Sequence, residues 1–297
     1  MSRKGFENRD AVYAAAEQWR TRCLVGDGSI FGAGSLWALE NFRGLDRYFV
    51  QNLDEGEGTF LGKLEGQLAP APVSVKQLAA ELMWVMLLCP SNTLAPKKRE
   101  IVELIWSWSG TALPTGAPEF LSDVVLEGIG SAGPGYNNHR WRELVFAVRF
   151  GLAFKSTAAD ERRRLILGDG VFAQWLDLIK ESRLRQFRHM LLHLIFPDSF
   201  ERIFGGGHRR LIVQKFRSLS PTQVRKLTPM QIEFELHKIR EEQTAKHPGK
   251  ELDFYFEPLK SQWNPNAFEE YTADIELDDV KHALAEVDAM GVPTSAE

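Results

Sequence analysis

Apolar residues recur at helical spacing along much of the chain. Ile101, Leu104, Ile105 and Trp108 fall at i, i+3, i+4 and i+7, as do Trp141, Leu144, Val145 and Val148, and again Phe172, Trp175, Leu176 and Ile179. Each set predicts one buried face of an amphipathic helix. Val73 to Cys89 is apolar almost all round, which predicts a central helix packed on several sides and stopped by Pro90. Ser220-Pro-Thr-Gln223 and Thr228-Pro-Met-Gln231 each place a hydroxyl at the N-cap, proline at N1 and glutamine at N3, so two helices are expected to start there in close succession. No stretch sustains period-two alternation, and no two-residue hairpin signal joins β-rich runs.

The pattern therefore predicts an all-α fold, an irregular multi-helix bundle with long connecting loops. Glycine and proline gather at Gly110 to Pro118 and at Gly128 to Gly135, and these are expected connections. They suggest a helical module over residues 1–245, divided into two subdomains near 110–135. Residues 246–297 then form an acidic C-terminal unit. In it Lys246 to Glu270 reads as linker, Asp253 to Pro258 as a short extended segment and Ile275 to Met290 as a last acidic helix.

Composition narrows the class. A chain of 297 residues, 44% hydrophobic and 26% charged, is that of an ordinary globular protein long enough for one large or two modest domains. The longest apolar run, Leu82 to Cys89, is far short of a membrane span, and no signal peptide is readable at the N-terminus. Two cysteines far apart, Cys23 and Cys89, give neither a disulfide framework nor a cysteine zinc site, so the expected compartment is the cytoplasm. The net charge of -4 hides an asymmetry. Arg183 to Lys226 holds ten bases against two acids, and Leu227 to Glu297 six bases against sixteen acids. A basic middle is followed by an acidic tail.

Four stretches invite a chemical reading. Gly56-Glu-Gly-Thr-Phe-Leu-Gly62-Lys63-Leu64 approaches a phosphate-binding loop, but Glu57 stands where its first glycine belongs and Leu64 where the magnesium-binding hydroxyl belongs. His189 and His193 have the i, i+4 spacing of a two-histidine metal site, with Met190 where a metalloprotease carries glutamate; packed polar side chains are the expectation, and no metal or cofactor. Around Gly128 to Trp141, glycines free the backbone while Tyr136, Asn137, Asn138, His139, Arg140 and Trp141 offer donors and flat faces that suit a base or a phosphate. A tight connection in which Asn138 caps the helix burying Trp141 reads equally well. Lastly, Arg209, Arg210, Lys215 and Arg217 follow three glycines, with Arg225 and Lys226 just beyond. These bases suit DNA phosphates, an acidic docking partner or the chain's own tail, or simple solvation.

Arg188-His-Met-Leu-Leu-His-Leu-Ile-Phe-Pro-Asp-Ser-Phe-Glu-Arg-Ile203 and His208-Arg-Arg-Leu-Ile-Val213 resemble a segment of McrB-type AAA+ proteins that lies ahead of the motor domain. The resemblance runs upstream through Asn52 to Phe60, Leu88 to Asn92, Trp106 to Gly110, Gly128 to Ser131, Tyr136-Asn137 and Arg140 to Glu143, covering most of residues 30–260. It implies an N-terminal recognition module for DNA, often modified DNA, working with a downstream ring-forming nucleotidase and a nuclease subunit in restriction or phage defence. The chain ends 39 residues after Pro258, too few for a motor, so this chain is expected to be non-catalytic. It is not similar to the small methylcytosine-reading domain of that family. A protein-docking scaffold is the alternative role, and a metalloenzyme built on the two histidines a distant third.

Overall fold

The computed structural model describes residues 9–54 and 56–264. Within them lie sixteen α-helical segments and no β-strand, as the periodicity predicts. The helix expected at Ile275 to Met290 lies outside the described residues.

The central helix is Val73–Leu88, and from Leu78 to Leu88 every residue is buried. It packs against helices Leu39–Tyr48, Ala95–Ser107 and Arg140–Ser156. Two glycines set how closely these helices cross. A Cβ on Gly151 would stand 1.9 Å from Cε1 of Phe42, and one on Gly44 would stand 2.4 Å from Cγ2 of Val75. Hydrogen at both positions lets the helix pairs approach until the Phe42 ring meets the backbone at Gly151 and the Val75 side chain meets it at Gly44.

The apolar central helix conceals one carboxylate. Glu81 is fully buried and accepts from the backbone N–H of Ile30 (3.1 and 3.0 Å) and Phe31 (3.1 Å), from Trp37 Nε1 (2.6 Å) and from the Ser29 hydroxyl. The loop before helix Leu39–Tyr48 is thereby clasped to the core by directional bonds. A second clasp holds the chain just upstream. Buried Lys155 donates to the carbonyls of Cys23 (2.6 Å), Leu24 (2.8 Å) and Gly26 and to Asp27 (2.9 Å), capping the π-helical turn Arg20–Val25.

Buried side chains form two cores. The larger runs from Val12 to Phe204, and the smaller gathers Ile203, Ile212, Val213, Val224, Ile232, Leu236 and Ile239 with Leu252, Phe254, Tyr255, Leu259 and Trp263. This corrects two expectations. The glycine- and proline-rich stretch near 110–135 is no boundary, because Ala117, Phe120, Leu121, Val125, Leu126, Ile129 and Ala132 all belong to the larger core. Residues 252–263 are no linker either. Their aromatic side chains complete the smaller core, and Trp263 Nε1 donates to the Phe254 carbonyl at 2.5 Å. Asp253 to Pro258 is a run of turns rather than extended chain.

Candidate functional site

The two cores meet at a layer of buried charge built around helix Gln186–Ile195. Arg188, fully buried, donates from Nε to Asp177 (2.7 Å) and from Nη1 to Glu233 (3.4 Å) on the long helix Pro229–Lys246. Arg209, from the basic helix Gly206–Phe216, reaches the other oxygen of Glu233 and donates to the carbonyls of Ile203 (2.6 Å) and Glu201 (3.3 Å). Arg202 pairs with Asp253 (3.1 Å) and donates to the Ile129 carbonyl, while Arg240 pairs with Glu201 (2.7 Å). Ions taken this far from water persist only with such matched partners.

Both histidines of the i, i+4 pair belong to this layer. His193 holds its proton on Nδ1, 2.7 Å from the Phe200 carbonyl, and Nε2 accepts from the Tyr13 hydroxyl at 2.8 Å. Burial pushes its pKa down to about 4. His189 turns Nδ1 to Arg188 Nη1 at 3.2 Å, and burial beside Arg209, Arg188 and Arg210 holds its pKa well below the ordinary value. Both rings are thus neutral, packed polar groups. Three of their four nitrogens already have protein partners, and among the described residues no group of three or more His, Cys, Asp or Glu is placed to hold a metal ion.

The basic stretch divides in two. Arg209 is buried in the layer, and Arg217 is bound to Glu235 (2.6 Å) and Glu242 (2.8 Å) of the long helix. The Arg209 guanidinium cannot reach a phosphate without giving up these buried bonds, a correction to its place in the six-residue set expected above, whereas Arg217 is half-buried and holds its carboxylates at the surface. Arg210, Lys215, Arg225 and Lys226 remain exposed. Of the ten bases between Arg183 and Lys226, five (Arg185, Arg188, Arg202, Arg209 and Arg217) pair with carboxylates that all lie outside that stretch.

Two glycines of the glycine-rich loop, Gly128 and Gly130, are required by packing. A Cβ on Gly128, where φ is +85°, would lie 2.4 Å from the Pro90 carbonyl oxygen, because the chain there forms an isolated bridge between Pro90 and Gly130. Tyr136 is buried and donates its hydroxyl to the Met86 carbonyl (2.8 Å), so its ring presents no stacking face. Arg140 donates to Asn137 at 2.7 Å, and burial lowers its pKa. Asn138 ends helix Gly133–Asn138, and it is His139 that stands at the N-cap of Arg140–Ser156, without a side-chain cap bond. Trp141, expected on a buried face, is 36% exposed with the Arg142 guanidinium 5.1 Å from its ring centre.

In the stretch resembling a phosphate loop, Thr59 caps helix Phe60–Leu68 by accepting from Gly62 N at 3.2 Å, Leu64 is buried, and Lys63 bends back to the carbonyls of Asp54 (3.3 Å) and Gly56. The loop binds itself. Sequence reasoning missed Glu81 and Glu233, although each is a carboxylate on an apolar helical face, the one pattern that marks a buried charge in advance. No known protein family, curated protein or solved structure gives a significant match to the chain.

Proposed function

We propose that the chain is a non-catalytic recognition module that contacts the DNA backbone through Arg210, Lys215, Arg225 and Lys226. The observation carrying this reading is the division of the basic stretch: Arg188 and Arg209 are consumed by buried ion pairs and Arg217 is held at the surface by Glu235 and Glu242, while these four are exposed and, among the described residues, bind no carboxylate. Exposed bases of this kind neutralise phosphates without reading sequence, so the expected binding is weakly specific and strongly salt-dependent. The McrB-type resemblance supplies the context of this reading: delivery of DNA to a downstream motor and its nuclease, in the cytoplasm. Among the described residues no helix is long and apolar enough to cross a membrane.

Four contacts give a log-affinity against log-salt slope of about -3.6 on duplex DNA. Fluorescence anisotropy across a salt series tests this. Replacing Arg210 and Lys215 together by serine should flatten the slope by about 1.8 and weaken unrelated duplexes equally. A slope unchanged in that variant, or no binding at low salt, refutes the reading. A protein-docking role is the second reading, favoured by Leu167 and Leu178, each 83% exposed.

A further inference from the structure

The basic helix Gly206–Phe216 opens on three successive glycines, with Gly205 at the N-cap and no side chain capping the first turn. Among the described residues the N–H groups of Gly206 and Gly207 donate to nothing. The start of this eleven-residue helix therefore presents bare donors and the positive end of the helix dipole. Many helix starts do so, and water satisfies them. What distinguishes this one is the histidine beside it.

His189 is only 9% exposed. Its Nδ1 lies 3.2 Å from Arg188 Nη1, and since a guanidinium only donates, Nδ1 accepts and the neutral ring carries its proton on Nε2. That Nε2–H is the one nitrogen of the histidine pair without a partner among the described residues. It is aimed at the helix start. A Cβ on Gly206 would meet Nε2 at 3.7 Å and no other atom from elsewhere in the described chain within 4 Å. A Cβ stands about 2.5 Å from its own nitrogen, so Nε2 is within about 6 Å of the Gly206 N–H. Each donor reaches an oxygen at about 2.9 Å, and the two can share one oxygen or take two oxygens of one tetrahedral anion. The local charge has the matching sign. Arg188, Arg209 and Arg210 all bear on His189, Asp177 and Glu233 answer the first two, and the neighbouring Glu201 is bound to Arg240. The exposed Arg210 guanidinium is left over. Arg188 Nη2 and Arg209 Nε add two buried donors without an acceptor to the same layer.

We propose that the Gly206 and Gly207 N–H groups, His189 Nε2–H and Arg210 form a binding site for one phosphate group. The site shares Arg210 with the DNA reading but does not rest on it, because its first test uses inorganic phosphate alone. In the full chain at neutral pH and constant ionic strength, phosphate should shift the nitrogen NMR signals of the His189 ring and of the Gly206 and Gly207 amides saturably, and chloride should not. Gly206→Asp should abolish the effect by placing the chain's own carboxylate at the helix start. That variant is expected to fold: Gly206 has no positive φ, its Cβ makes an ordinary contact, and an acid in the first turn favours a helix. An unchanged or raised melting temperature verifies it. His189→Leu, followed through the two glycine amides, should bind phosphate about tenfold more weakly, the loss of one hydrogen bond to a charged group. A second arm with unphosphorylated duplex DNA identifies the source: the same ring shift marks a backbone phosphodiester as the occupant, and its absence marks a free phosphate or monoester. No saturable shift with phosphate overturns the proposal, as does an equal shift with chloride or one that survives in Gly206→Asp. Failure of the DNA reading is separate, since it appears as absent duplex binding with the phosphate shifts intact.

Discussion

Removing the Arg209 side chain should unfold the smaller core's attachment rather than merely subtract a charge. Arg209 is 1% exposed, is paired with Glu233 and donates to the carbonyls of Ile203 and Glu201 at 2.6 and 3.3 Å. Breaking a buried ion pair from one side costs about 3–5 kcal/mol, since the surviving charge is left uncompensated. Glu233 would still hold Arg188 at 3.4 Å, which places Arg209→Ala toward the lower end, about 3 kcal/mol. At about 2–4 °C per kcal/mol the melting temperature should fall by about 6–12 °C. Arg210→Ala, one residue along on the exposed face, should stay within about 0.5 kcal/mol of wild type. Urea titration and thermal melts of the two variants side by side make the measurement. A melting temperature for Arg209→Ala within 1 or 2 °C of wild type, roughly the effect of 0.5 kcal/mol, refutes the reasoning; so does an equal fall for Arg210→Ala. If the prediction holds, any loss of DNA binding in an Arg209 variant reports damaged structure, and only Arg210, Lys215, Arg225 and Lys226 test the interface.

Two further predictions follow from packing and titration. Gly151→Ala should destabilise by about 1–3 kcal/mol despite alanine's better helix propensity, because its Cβ meets the Phe42 ring at 1.9 Å. Gly66→Ala, in helix Phe60–Leu68 where an added Cβ would meet nothing within 4 Å, should stabilise by about 0.5–1 kcal/mol; opposite signs in thermal melts are the check, and like signs would refute it. His193 is held neutral with a pKa of about 4, so the unfolded chain takes up its proton first as pH falls. Stability should therefore be fully present above about pH 6.5 and decline by up to about 3 kcal/mol toward pH 4. His193→Gln, which keeps a donor for Phe200 and an acceptor for Tyr13, should lose less over that interval in urea midpoints. Equal pH slopes for the two proteins would show that the histidine is not responsible.

The sequence and the structure agree most closely where the determinant is local. Both capping boxes form as read, with Ser220 accepting from Gln223 N and Thr228 from Gln231 N, because hydroxyl, proline and glutamine sit within four residues of one another. The central helix is likewise readable from one continuous run. Faces are harder. Trp141 and Leu104 fit the spacing of their sets yet lie 36% and 41% exposed, since periodicity ranks positions on a helix but does not fix how wide the buried arc is. The charge count misleads for a related reason: a window sees the bases of residues 183–226 and cannot see that Asp177, Glu181, Glu233, Glu235, Glu242 and Asp253 fold onto them. The 252–263 stretch, rich in aromatics but without period, is unreadable as core because turns, not a long helix, aim most of its side chains inward.

The close helix crossings at Gly44 and Gly151 bear on ancestry. Most surface positions of this chain can change freely, and drift there erases overall similarity long before the fold is lost. A glycine pressed against a packed side chain, as Gly151 is against the Phe42 ring and Gly44 against Val75, cannot drift, because no other residue lacks the atom that would collide. Distant relatives should therefore keep a pair of glycines, one two residues after Phe42 and the other facing its ring from a helix about a hundred positions later, with a glutamate corresponding to Glu81 between them. Two glycines and a buried glutamate at those spacings are the mark by which kinship with this fold would be tested.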